Sequence, residues 1–302
     1  MKKLSVVISA YNEELKLEDC LKSVKFADEI IVINNSSTDK TEDIARKHTK
    51  NVFNQPNNPE KIDLQKNFGF TKATGDYILS LDADERISPE LKEEIIKVLN
   101  NNSSVDGYWI PRKNIIFGKW IEHTGWYPDH QLRLFRKGLG KFDSEHVHEH
   151  LKVNGKTEYL KGHMIHENYD SVNQFAKKTF VYTQNEAENI LRSGYKFSFF
   201  DVVRFPLSEF LNRFFAREGY KDGFYGLILS MFMAFYHFLI FVHIWEIEKY
   251  KQMEPEDLLN TGKKELKQIK KEINYWVLNT QINKTKNTAK KIFLKTKRKF
   301  LS

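Results

Sequence analysis

A single cysteine, Cys20, occurs in the 302 residues, so no disulfide framework can form within one chain, in keeping with a reducing cytosol. Its alignment with Leu17, Leu21 and Val24 at helical spacing marks it as core filler. No secretory leader is expected either. Met1, Lys2 and Lys3 run into an apolar stretch over residues 4–9 that stops at Asn12, Glu13 and Glu14, too short for export by that route. There is no internal repeat, no low-complexity tract outside a lysine-rich C-terminal stretch, and no RNP-type aromatic motif of the kind that reads RNA. The histidines His146, His148, His150, His163 and His166 have no cysteine nearby, and the first three alternate as on one strand face, which argues against structural zinc.

What is present is a chain with 40% hydrophobic residues, enough for one catalytic domain with appendages, and a net charge of +8 that favours an anionic partner. Short β-rich runs at residues 4–9, 29–34, 50–54 and 76–82 alternate with helical patterns, which predicts βαβ units and a mostly parallel sheet. Asn12 is expected to cap a first helix, and Asp39 with Glu42 to form a capping box on a second. Ser88-Pro89-Glu90 is a stronger helix start, followed by core positions Leu91, Ile95, Val98 and Leu99. From Gly107 to about Arg136, aromatic and basic segments predict added strands and a flap, and residues 172–195 read as a polar helix.

Chemistry is concentrated in Tyr77-Ile78-Leu79-Ser80-Leu81-Asp82-Ala83-Asp84-Glu85, a hydrophobic strand ending in carboxylates. Strand alternation sends Asp82 and Asp84 to the same side, at the carboxyl edge of a sheet where α/β proteins bind ligands. Two such acids suit Mg2+ or Mn2+ completed by substrate phosphates. A solvated acidic turn is the alternative.

The blocks from Ser5 to Glu14, Ile31 to Thr41 and Gly75 to Glu85 resemble those of family 2 glycosyltransferases with the GT-A fold, a Rossmann-like α/β architecture. Gly125 to Arg136 and Val147-His148-Glu149 are similar to the bacterial lipopolysaccharide-core glucosyltransferase branch. The resemblance implies a nucleotide-diphosphate sugar donor, UDP favoured, with Mn2+ or Mg2+ at Asp82 and Asp84. Ser9, Tyr11 and Glu13 would line the base and ribose, with Asn34 and Asn35 beside them, although the family usually carries aspartate at the first of these two. Asp82 would also touch the donor, and Lys66 would reach its phosphates. Asp129 occupies the position of the base that takes the acceptor proton, a turn role being the alternative. Arg112, Trp126, Gln131, Arg133 and His148 are candidates for acceptor or phosphate contacts.

The expected layout is a GT-A domain over 1–195, with a nucleotide half to about 105 and an acceptor half beyond it. Membrane-associating helices follow over 196–248, then a basic helical tail over 249–302. The uncharged run at 224–245 would extend about 30 Å as a helix, ranked first as monotopic, second as a span and third as a buried dimer helix. In the tail, Leu266, Ile269, Ile273 and Trp276, then Ala289, Ile292 and Phe293, form apolar stripes among lysines suited to anionic lipid; a solvated extension is the alternative. The expected function is inverting transfer of a hexose, glucose first, to a lipopolysaccharide or lipooligosaccharide core at the cytoplasmic face of the inner membrane. A polyprenyl-linked sugar or a peptide is the second acceptor reading. A basic membrane- or RNA-binding module without catalysis is the reading of another class; no nucleic-acid partner is expected, and homo-oligomerisation is left open.

Overall fold

The computed structural model describes residues 2–58, 62–101, 104–143 and 151–301, so His146, His148 and His150 lie outside the described residues. The chain forms two units, one of Met1–Trp120 with Trp126–Asp170 and one of Ile121–Gly125 with Ser171–Ser302.

The first unit is built on β1 (Leu4–Ala10), β2 (Glu29–Asn34), β3 (Asn51–Asn54) and β4 (Tyr77–Asp82), close to the runs expected from sequence. Then come β5 (Glu85–Ile87), β6 (Gly107–Ile116), β7 (Lys119–Trp120), β8 (Asp129–Arg136), β9 (Gly140–Lys141), β10 (Lys152–Val153), β11 (Thr157–Tyr159) and β12 (Met164–Tyr169). The main sheet runs β3-β2-β1-β4-β8-β6-β12-β5, with β7 and β11 also paired to β6. Strands β1 to β4 are mutually parallel, and β8 pairs antiparallel to both β4 and β6. A parallel half thus passes into a mixed one where β4 meets β8, since β11 and β12 pair parallel to β6.

Every residue of β1 is buried, as expected for a strand covered on both faces. Leu4, Val6 and Ile8 pack with α1 (Leu17–Ser23), α2 (Thr41–His48) and α4 (Pro89–Asn100) through Cys20, Leu21, Ala45, Leu91, Ile95 and Leu99. Val7 points the other way, with Ile31, Ile33 and Ile78, onto Phe70 of α3 (Ile62–Lys72) and onto Phe135 and Phe142. Cys20 is core filler as expected; burial, then the charges of Glu85 and Asp84, push its thiol pKa up.

Local signals fared unevenly. Ser88 does cap α4, its hydroxyl accepting from Leu91 N at 3.2 Å. Asn12 does not cap α1, which starts only at Leu17; it sits at φ 55° and its Oδ1 accepts from Thr38 N at 2.8 Å. Asp39 accepts from Thr41 N at 2.9 Å, and Glu42 turns to Asn34, Arg46 and Asn54 instead of closing a capping box. A short strand, β5, intervenes between Asp84 and α4.

The second unit contains α5 (Val172–Arg192), α6 (Asp201–Leu211), a π-helical turn at Asn212–Ala216, a 3-10 turn at Gly219–Asp222, α7 (Phe224–Ile247), α8 (Pro255–Lys284) and α9 (Thr288–Leu301). The division therefore falls after 170, not 195, and places the polar helix α5 with α7. Ala187, Ile240 and Ile244 form its core with Phe197, Phe205 and Tyr236 around them. Gly226 has no room for a side chain, because a Cβ there would lie 1.7 Å from Gly219 O. Asp222, 6% exposed, accepts from Glu122 N at 3.3 Å, His123 N at 3.0 Å and the Thr124 hydroxyl at 2.9 Å.

A close helix-to-sheet approach lies in the first unit, where a Cβ on Gly69 would sit 2.4 Å from Val7 Cγ1 and 2.9 Å from Ile33 Cγ1. Both neighbours are fully enclosed and have nowhere to move. Gly69→Ala is therefore expected to cost about 1–3 kcal/mol, seen as a lower denaturant midpoint at unchanged slope; an unaltered midpoint would contradict this packing.

Candidate active site

Ser9 of β1 is the register partner of Asp82 of β4, so the carboxyl ends of these neighbouring strands deliver a hydroxyl and a carboxylate side by side. The loops beyond β1 and β2 are laced together. Asn12 N donates to the Ser37 hydroxyl at 3.0 Å, Glu13 N to the Thr41 hydroxyl at 2.7 Å and Glu14 N to Asp39 Oδ2 at 3.1 Å. Tyr11 stands out from this edge, 46% exposed. Asn34 is buried and its Nδ2 donates to Asn54 at 2.9 Å and Glu42 at 3.1 Å, while its Oδ1 accepts from Ser37 N. Buried Asn35 donates to the Ser9 hydroxyl at 2.9 Å and accepts from Gln55 Nε2 at 2.7 Å. These two amides brace the edge from within. Gln55, which sequence reasoning passed over, is part of the same bracing.

Asp82, Asp129, Arg112, Arg133 and Lys66 are brought together by a residue not singled out from sequence, Glu85. Its carboxylate is fully buried. Oε2 accepts from Asp82 N at 2.9 Å, while Oε1 accepts from Arg133 at 2.8 Å and from Arg112 at 3.3 Å. Arg133 also donates to Asp82 Oδ2 at 2.8 Å, and Lys66 Nζ lies 2.7 Å from Asp82 Oδ1 and 3.1 Å from Asp63. Burial works to raise the Asp82 carboxyl, but the charges of Lys66, Arg133 and Arg112 outweigh it and hold the group far below the usual range. Burial likewise opposes the Arg133 charge, and Glu85 and Asp82 more than restore it.

Asp129 opens β8. Its Oδ2 accepts from Arg112 Nε at 2.9 Å, Arg112 Nη2 at 2.6 Å and Asn114 Nδ2 at 3.1 Å; Oδ1 accepts from Gln131 Nε2 at 2.7 Å. Desolvation pushes this carboxyl up, and Arg112, Asn114 and Gln131 more than reverse it, so it stays ionised below the usual carboxylate pKa. Asn114 also donates to Trp126 O at 2.8 Å, and Trp126 meets Tyr169 edge to face. Trp126, Gln131 and Arg112 thus gather around Asp129. Arg133 faces Asp82 and Glu85 instead.

Asn114 Oδ1 accepts from His166 Nδ1 at 2.7 Å and from Asn168 Nδ2 at 3.2 Å. Because Asn114 uses its amide nitrogen on Trp126 and Asp129, its oxygen must be the acceptor here, so His166 carries a proton on Nδ1. Nε2 then points at Asp84 Oδ2, 3.4 Å away. A carboxylate oxygen beside an imidazole nitrogen fits a divalent ion held largely by donor phosphates and water. Among the described residues no three His, Cys, Asp or Glu side chains converge as a metal-binding group. At Asp82 the positive charge comes from Lys66 and Arg133.

A family model described as glycosyl transferase family 2 matches residues 5–151. An uncharacterised glycosyltransferase of Rickettsia typhi is 30% identical over 82% of this chain and 88% of its own length. The lipopolysaccharide core biosynthesis glycosyltransferase LpsC of Rhizobium meliloti is 25% identical over 80% of this chain and 92% of its own. Among solved structures, residues 1–349 of S. aureus TarS in complex with UDP-GlcNAc align over 83% of this chain and 93% of that one, at 15% identity and a TM-score of 0.43.

Two outcomes test the electrostatic reading. Glu85→Ala removes the buried anion shared by Arg112 and Arg133, leaving Arg133 with Asp82 alone, and is expected to cost about 3–5 kcal/mol in denaturant unfolding; a change below about 1 kcal/mol would mean that solvent reaches Arg133. Asp129 has a lower pKa folded than unfolded, so its contribution is full above the unfolded value of about 3.9 and is lost as pH falls through the folded value. Asp129→Asn should therefore lose less stability than the parent between neutral and strongly acid pH, and parallel pH profiles would contradict the assignment.

Proposed function

The chain belongs to glycosyltransferase family 2, and from that membership we propose that it transfers a hexose, with inversion, from a nucleoside diphosphate sugar to a membrane glycolipid. The observation that carries this reading is the joining of Asp129 to the Asp82-Ala83-Asp84-Glu85 turn through Arg112 and Glu85. It ties a candidate base to a candidate leaving-group site in one rigid network.

Donor base and ribose are assigned to the edge formed by Ser9, Tyr11 and Glu13, with Asn34, Asn35 and Gln55 bracing it from behind. Lys66 and Asp82 lie at the phosphate end, where the lysine charge would steady an anionic diphosphate. A divalent ion, when bound by Asp84 and His166 with Asp82 nearby, would supply charge neutralisation for the leaving diphosphate. Asp129 accepts the acceptor hydroxyl proton on Oδ1, whose second lone-pair direction lies beside the Gln131 contact. Arg112 and Asn114 fix Oδ2 and keep the carboxylate ionised at neutral pH, ready to receive that proton. UDP-glucose is the first donor to test.

The distant likeness to LpsC supports a lipopolysaccharide or lipooligosaccharide core as the acceptor class. For the location, α7 is long and apolar enough to cross a membrane by length and composition. It also leaves Phe224, Met231, Phe235 and Phe238 exposed, which supports attachment to the cytoplasmic surface of the inner membrane.

With a panel of nucleotide sugars and manganese, Asp129→Asn is expected to bind donor as the parent does while transfer falls by about 10²–10⁴-fold. Asp84→Ala should remove the metal stimulation of donor hydrolysis. Loss of donor binding in Asp129→Asn would make that residue structural, and unaltered metal response in Asp84→Ala would remove the ion from this position.

A further inference from the structure

The last helix, α9, presents its apolar residues to solvent. One residue, Leu294, packs inward on Leu278 and Ile282 of α8. Arg298 completes that inner side, donating to Asn279 and lying 5.1 Å from the Tyr275 ring. On the outer side Ile292 is 61% exposed, Phe293 64% and Phe300 81%. At roughly 100° per residue these three fall with Ala289 and Thr296 on one stripe covering about a third of the helix circumference. Lys295 and Lys299 border one edge of the stripe, Lys290 and Lys297 the other, and all four are exposed. No aspartate or glutamate occurs between Thr288 and Leu301.

A helix that packs by one leucine gains little from its partner and should bury its larger apolar face elsewhere. Flanking lysines identify the cover. Their alkyl stems lie along apolar surface while the ammonium groups reach outward to phosphates at the depth of lipid headgroups. A second copy of this helix would oppose cations to cations. Nucleic acid would satisfy the lysines but leave the aromatic stripe wet.

We propose that the outer face of α9 is a docking surface for an anionic phospholipid bilayer, resting on the reading of this chain as a membrane-surface enzyme. Ile292, Phe293 and Phe300 enter the headgroup boundary, and Lys290, Lys295, Lys297 and Lys299 pair with lipid phosphates. The contact is separate from α7 and adds a second attachment point, where one alone gives weak, reversible binding.

The test is sedimentation of the full chain with vesicles of phosphatidylcholine, with or without phosphatidylglycerol. Ile292→Gln/Phe293→Gln/Phe300→Gln is expected to keep its circular dichroism and donor hydrolysis and to lose about tenfold or more of its affinity for the anionic vesicles. Lys295→Glu/Lys297→Glu/Lys299→Glu should abolish the preference for anionic over neutral vesicles, and added salt should weaken the parent. Undiminished anionic-vesicle binding by the glutamine variant overturns the proposal. So does loss of self-association instead of vesicle binding, or tighter binding to single-stranded RNA than to vesicles. If the parent itself ignores all vesicles, the membrane reading fails with it. If Phe235→Gln/Phe238→Gln on α7 abolishes binding and the α9 variant does not, only the α9 assignment falls.

Discussion

A carboxylate with no exposure, Glu85, holds the first unit's polar centre together by serving two guanidiniums at once. An ion pair removed from water pays a desolvation cost that only close, well-directed hydrogen bonds can offset. Here the offset comes from geometry. One oxygen takes both arginines and the other takes Asp82 N, so the short turn after β4 is locked in the same act that neutralises the charge. Arg112 comes from β6 and Arg133 from β8, neighbouring antiparallel strands. Glu85 is thus the electrostatic pin between the turn after β4 and the strands β6 and β8.

That pin explains why Asp129 can be ionised though half-hidden. An isolated carboxylate there would be pushed toward its neutral form, but Arg112 is already oriented by Glu85 and offers a two-pronged contact. Asn114 adds a third hydrogen bond to the same oxygen and Gln131 one to the other. A carboxylate so stabilised is a weak proton acceptor, but one held in a fixed direction.

Much of this was legible in sequence because it is local. The four parallel strands show as β-rich runs, the Ser88-Pro89 start shows as capping chemistry, and Asp82-Ala83-Asp84 shows as acids at a strand end. What escaped is what depends on distance along the chain. Glu85 looks like one more acid in a turn until Arg112 and Arg133, far ahead in sequence, fold over it. Asn34 is a donor-site candidate through the family resemblance, and it is buried and hydrogen-bonded to Glu42, Asn54 and Ser37. His166 was set aside with the other histidines, and only its pairing through Asn114 separates it from them. Asn12 has the composition of a helix cap, but cross-strand loop bonds outcompete that local role. Helix α5 reads as a polar appendage of the first domain, whereas its buried Phe175, Thr179, Thr183 and Ala187 form the seam that places it in the second unit.

The second unit is not one stretch of chain. Ile121–Gly125 belongs to it, although the residues on either side belong to the first. Asp222, 6% exposed, closes its hydrogen bonds on that five-residue excursion, and Arg213 reaches Thr124 O at 2.8 Å. A gene fragment beginning after residue 170 would therefore encode every helix of this unit and still lack its innermost plug. Such an excised piece would lose the three donors that Glu122, His123 and Thr124 give this buried carboxylate, so this architecture resists being inherited or shuffled as a detachable cassette.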